Sequence, residues 1–196
     1  VAVVLALSFL VLLLAFRSIV VPVVAIVLNL LSVGAAFGLV TLVSQEGIGA
    51  GLFGFQQVDT IEAWIPIFLF AVLFGLSMDY HVFLLSRIRE RFVATQDNVA
   101  SITHGISSSG RLITGAALIM VAVFGGFAAG DLVMFQQMGF GLAVAVLIDA
   151  TLVRGVLLPA IMRLLGNSNW YLPKSLNWLP DVAIEGPAPG PVTAST

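Results

Sequence analysis

The sequence predicts an all-α protein, a polytopic membrane helix bundle with about five transmembrane helices. Three observations carry that expectation. The 196 residues are 60% hydrophobic and only 9% charged, against roughly 25% charged residues in a soluble domain, so the chain cannot coat a water-facing surface. Its apolar runs are separated by short polar connectors. Finally, its basic residues collect on alternate connectors, as they do when successive spans cross a bilayer in opposite directions.

In chain order, 1–16 is apolar apart from Ser8 and a little shorter than the ~20 residues that span a bilayer. Arg17-Ser18 is a minimal connector, and Pro22 falls in the first turn of the next helix, where it is tolerated. The second span, 19–43, reaches about 37 Å at 1.5 Å per residue. Within it Gly34, Ala35, Ala36 and Gly38 permit close helix contact, and Asn29 requires a partner inside the bundle. A Gly-rich loop with Glu46, Asp59 and Glu62 leads to Trp64, Pro66 and the third span, 64–86, which Arg87, Arg89, Glu90 and Arg91 are expected to end in water.

Polar residues fill 95–110, yet Val99, Ile102 and Ile106 recur at helical spacing. A short helix capped by Asp97 or Asn98 is expected there, lying on the membrane surface or packed on the bundle. The fourth span is 112–129, Gly130-Asp131 turns the chain, and the fifth is 132–158 with Asp149 and Arg154. These spans define a membrane domain over 1–165, followed at 166–196 by an interfacial segment and tail. In it Trp170, Tyr171 and Trp178 read as interfacial anchors, and from Glu185 the composition reads as disordered.

Charge placement sets the orientation. With five spans, one side collects Arg17, Arg87, Arg89, Arg91, Arg111, Arg154, Arg163 and Lys174, all 8 basic residues. The positive-inside rule makes that side, and the C-terminus, cytoplasmic. The chain begins at Val1 inside an apolar run, without a charged leader, so it is expected to start partway through a longer protein. With no cysteine there is neither a disulfide framework nor a Cys-based metal site, and no basic patch points to nucleic acid.

The residues that could carry chemistry are intramembrane. Asp79 follows Ala71 and Gly75 at steps of four, so a groove of small residues leads to a carboxylate on one helix face. An acid in that position costs at least ~2.5–3.5 kcal/mol on insertion scales and usually marks a pathway or relay. Tyr80 lies about 100° around the helix, placed to bond an acid on a neighbouring helix. His81 points nearly opposite Asp79 and shares a face with Ser77. No second ligand falls at metal-binding spacing on that face, so neither a metal nor another cofactor is expected. In the fifth span Gly141, Ala145 and Asp149 repeat the groove. Pairing of Asp149 with Arg154 at i+5 is poor on an α-helix, so each is expected to pair across helices, as a structural ion pair. An intramembrane aspartic protease does not fit. Asp79-Tyr80 reverses that family's order, and Leu147-Ile148 stands where its glycine pattern would be.

The run from Phe74 through Gly75-Leu76-Ser77-Met78-Asp79-Tyr80-His81 to Glu90 resembles the signature helix of the MMPL transporters of the resistance-nodulation-division (RND) superfamily. Ser109-Gly110-Arg111, Ile148-Asp149-Ala150-Thr151-Leu152-Val153-Arg154 and Asn169-Trp170-Tyr171-Leu172-Pro173 are similar to segments of the same family. The resemblance implies the last five helices of a twelve-helix transporter in a bacterial plasma (inner) membrane. Such a protein exports lipids or other hydrophobic compounds and is driven by protons. It also implies that Asp79 and Tyr80 are one half of a proton relay completed by an N-terminal half of the transporter, with Asp149, Arg154 and His81 as supporting candidates. The expected partners are membrane lipids and that missing half, with room for a homo-oligomer and none for nucleic acid. The alternative is a non-pumping module that binds lipid or scaffolds a complex.

Overall fold

The computed structural model describes residues 1–48, 51 and 61–172. Trp178, the tail from Glu185 and most of the Gly-rich loop lie outside them. The described residues form a helical bundle: α1 (Ala2–Phe16), α2 (Val20–Ser44), α3 (Ile65–Thr95), α4 (Asn98–Ala128), α5 (Val133–Ile148) and α6 (Leu158–Leu165). A π-helical segment, Asp149–Leu157, joins α5 to α6, and a 3-10 turn, Gly166–Trp170, follows. Four continuous helical stretches are long and apolar enough to cross a membrane: α2, α3, α4 and Val133–Trp170. At 15 residues, α1 is apolar but shorter.

Local chemistry explains the joints. Arg17 closes α1 in the left-handed region, its N–H donating to Leu13 O. The Ser18 hydroxyl then accepts from the amides of Val20 and Val21, which a helix start leaves without carbonyl partners. Asp97 caps α4 by accepting from the Ala100 amide at 3.0 Å.

The structure departs from the sequence expectation at the arginine-rich end. α3 does not stop near Ser86 but continues to Thr95, and 98–110 forms one helix with the fourth span rather than a separate surface helix. Ser101, Ile102, Gly105 and Ser109 are buried, and Gly105 explains how. A Cβ there would collide with the Ile88 side chain, so the missing methyl lets α4 lie directly on α3. Trp170 likewise stacks on Phe92, with centroids 5.3 Å apart, instead of serving only as an interfacial anchor. Asn169 ties this end together. Its amide donates to the carbonyls of Met162 and Gly166, and its own carbonyl accepts from Ser18 Oγ.

Two apolar clusters fill the bundle. One, toward the arginine-rich end, includes Phe16, Leu28, Leu84, Ile88, Ile113, Val153 and Met162. The other includes Ala36, Val40, Leu69, Leu73, Leu142 and Val146. Asn29 and Ser32 on α2, Ser77 and His81 on α3, and Asp149 on the fifth span fall between members of the two clusters.

The α4–α5 hairpin depends on Gly139. A Cβ at that position would stand 2.5 Å from Ala128 N and 2.6 Å from Phe124 O, both backbone atoms that cannot swing aside. Gly139→Val should therefore destabilise the bundle by about 1–3 kcal/mol or more, the range for overpacking. A lowered Tm in detergent is expected, and an unchanged one would refute this packing.

Candidate functional site

The polar layer between the two clusters is built around Asp149 and Arg154, both buried, at 7% and 3% exposure. They pair with each other, Arg154 Nη2 lying 2.8 Å from Asp149 Oδ2. This corrects the expectation that each pairs across helices. On an α-helix five residues amount to about 500° of rotation, which places the two side chains roughly 140° apart. Here 149–157 is π-helical, with i→i+5 backbone hydrogen bonds, so a residue and its fifth neighbour come onto one face. The mismatch in the α register disappears because the register itself changes.

Neighbouring helices complete the shell. Ser77 Oγ on α3 donates to Asp149 Oδ2 at 3.0 Å, and Ser32 Oγ on α2 donates to Oδ1 at 3.3 Å. Arg154 Nη2 also donates to the Ser77 carbonyl at 2.5 Å and to its hydroxyl at 3.1 Å. The guanidinium lies over the Tyr80 ring, 4.9 Å from its centroid. A buried cation thus receives a carboxylate, a carbonyl and an aromatic face together.

His81 is fully buried, its Nδ1 at 3.3 Å from Ser77 Oγ and 3.2 Å from the Ser77 carbonyl. The carbonyl can only accept, so that bond puts the proton on Nδ1 and leaves Nε2, which has no protein partner, as the acceptor. His81 therefore belongs to the same layer, held through Ser77. Among the described residues the Tyr80 hydroxyl reaches the Met120 thioether alone, at 3.7 Å.

Asp79 is elsewhere. It is exposed on the outside of the bundle, as are Ala71 and Gly75, so the small-residue groove on α3 faces away from the other helices of this chain. The groove on α5 does the opposite. Gly141 packs against Val40 and Leu69, and Ala145 is fully buried. The structure thus brings together Tyr80, His81, Asp149 and Arg154, and leaves Asp79 on the far face of the helix that carries two of them. Among the described residues no three of His, Asp and Glu gather as a metal site would require.

Sequence reasoning missed Ser32 as a partner of Asp149. A signal was present, since Ser32 follows Asn29 by three and so shares its helix face. Asn29, expected to find a partner, is 1% exposed with neither amide atom bonded to a protein group.

The chain is 44% identical over 183 residues to the mycolic acid-containing lipids exporter MmpL11 of Mycolicibacterium smegmatis, an alignment covering 93% of the chain and 19% of the exporter. It is equally 44% identical over 183 residues, with the same coverage, to the heme uptake protein MmpL11 of Mycobacterium tuberculosis. To the trehalose monomycolate exporter MmpL3 of Mycolicibacterium smegmatis it is 42% identical over 164 residues, 82% of the chain and 16% of that protein. The chain thus spans less than a fifth of the length of these relatives. The family profile for MMPL matches residues 1–183, and the chain belongs to the MMPL family, a membrane transport protein related to the MmpL lipid exporters.

Proposed function

We propose that this chain is the C-terminal membrane part of an RND-type exporter of lipids or other hydrophobic compounds, driven by protons, in which Asp79 carries the proton. The observation behind this reading is the placement of Asp79. A carboxylate on the outer face of an apolar span, at the end of the exposed row Ala71–Gly75–Asp79, is costly against lipid. It becomes affordable when a further helix covers it, and a row of small residues is the surface on which helices pack closely. A pseudo-symmetric first half, carrying its own acid and tyrosine, would supply that cover. Tyr80, whose hydroxyl meets only a thioether in this chain, would turn toward that half's acid.

Orientation supports the same reading. Arg87, Arg89, Arg91 and Arg163 lie at one end of the bundle, beyond the apolar part of their helices, which the positive-inside rule makes cytoplasmic. Relatives of equal identity carry names that differ in cargo and in direction, lipid export and heme uptake. We therefore assign the stretch they share with this chain to driving transport rather than to choosing cargo, and favour lipidic cargo because the relatives named as exporters carry mycolic acid-containing lipids and trehalose monomycolate.

Two predictions separate the acids. In the complete transporter Asp79→Asn should abolish proton-coupled export measured in vesicles while leaving expression and Tm unchanged, because among the described residues no group bonds to the exposed carboxylate. Export at the parental rate would overturn the proposal and favour the non-pumping module. Arg154→Leu should instead cost about 3–5 kcal/mol of stability, since it strands a buried carboxylate. The double variant Asp149→Leu/Arg154→Leu, which removes both charges, should recover most of that loss in thermal unfolding. Equal losses in the single and double variants would show that the pair is not the origin of the cost.

A further inference from the structure

Asn29 is the least satisfied polar side chain in the layer, and it faces a cavity. Its amide nitrogen and carbonyl oxygen are both buried without a protein partner, and so are Nε and Nη1 of Arg154. Such groups are rare in folded proteins and call for an occupant. Both residues line the same cavity, together with Ser32, Tyr80, Met120 and Asp149. Of its volume ≈ 20 Å³ is open to the centre of a water-sized sphere, and a buried water needs roughly 10–15 Å³ by that measure.

The chemistry of the walls selects the occupant. Asn29 offers a donor and an acceptor, and Arg154 offers two donors. A cation would meet the guanidinium, and an anion would meet the Asp149 carboxylate, whose oxygens already receive Arg154, Ser77 and Ser32. A small neutral molecule that both gives and accepts hydrogen bonds fits without displacing anything. The Tyr80 hydroxyl, held only by a weak sulfur acceptor, opens onto the same space.

We propose that this cavity is a built site for an internal water, held by the Asn29 amide and the unpaired guanidinium nitrogens of Arg154, and that this water joins the Tyr80 hydroxyl to the Asp149–Arg154 pair. The water accepts from Arg154 and donates to Asn29 Oδ1, and its remaining valence serves Tyr80. Asn29 is then a positioning residue: it bonds neither Asp79 nor the Asp149–Arg154 pair directly and acts through the water it fixes. The water site stands on geometry alone. Its part in proton movement rests on the transport reading above.

X-ray radiolytic labelling of the protein in lipid nanodiscs tests the site, because hydroxyl radicals formed from a bound water oxidise the side chains beside it. Met120 and Tyr80, which line the cavity, should oxidise several-fold faster than Met162, which is 2% exposed and packed within an apolar cluster. Asn29→Leu removes the polar anchor and Ala117→Val fills the space from α4. Each should lower the labelling of Met120 and Tyr80 several-fold while leaving that of Met162 unchanged. Equal rates for all three side chains in the parent protein, or rates unmoved by both variants, would overturn the site. For the role, Asn29→Leu should slow proton-coupled export several-fold, and Asn29→Ser, which keeps a hydrogen-bonding group, should restore it. Parental export by an Asn29→Leu variant with lost labelling would leave the water and remove its link to the relay. Asp79→Asn should leave labelling unchanged, so failure of the transport reading and failure of the site are distinguishable.

Discussion

The ion pair between Asp149 and Arg154 is the constraint that the middle of the bundle is arranged to meet. Taking two charges out of water costs several kcal/mol for each ion, and their mutual attraction offsets this only with good geometry and further hydrogen bonds. Both conditions are visible here. The 2.8 Å contact requires the π-helical register of 149–157, and the remaining valences draw in Ser32 from α2 and Ser77 from α3. Three elements are thereby held at one level of the bundle by polar contacts, with an apolar cluster above and another below. Apolar packing alone would hold helices together in lipid while specifying their axial register only loosely, because lipid tails and leucine side chains are alike. A buried charge with particular partners removes that freedom.

Much of this was legible in the sequence. Composition and apolar run lengths were sufficient for the membrane class, and the step-of-four spacing of Gly141, Ala145 and Asp149 was sufficient to mark a packing face. What was not legible depends on tertiary context. For the polar stretch before the fourth span, the hydrophobic spacing left open whether its helix lies on the membrane surface or packs on the bundle, because it reports an apolar face without saying what covers it. The cover is Ile88, and the permission is Gly105. The extension of α3 to Thr95 was hidden for a related reason: an arginine cluster marks where the bilayer ends, and a helix can continue into water if another helix lies alongside.

The pairing of Asp149 with Arg154 is a different kind of miss. Rules for side-chain neighbours at i+3 and i+4 presuppose an α-helix, and within that frame the argument against an i+5 pair was sound. The sequence contains a hint in Pro159, which supplies no N–H to the backbone ladder just beyond the wide turn. An intramembrane acid and base five residues apart, shortly before a proline, is a pattern from which a π-turn can be suspected.

Consecutive residues of α3 serve two surfaces with different physics. Ser77 and His81 face inward, where each polar atom is judged by whether the fold supplies a partner. Asp79 faces outward, where the described residues supply none. Tyr80 lies between them, its ring under the Arg154 guanidinium and its hydroxyl beside Met120. The Ser77 contacts that hold the buried pair therefore lie on a different face of α3 from the Asp79 carboxylate. That division, a fixed internal pair beside an acid on the outer face, is what the proposed proton-carrying role of Asp79 draws on: in that proposal its charge alternates, and the helix that bears it must remain standing in both states.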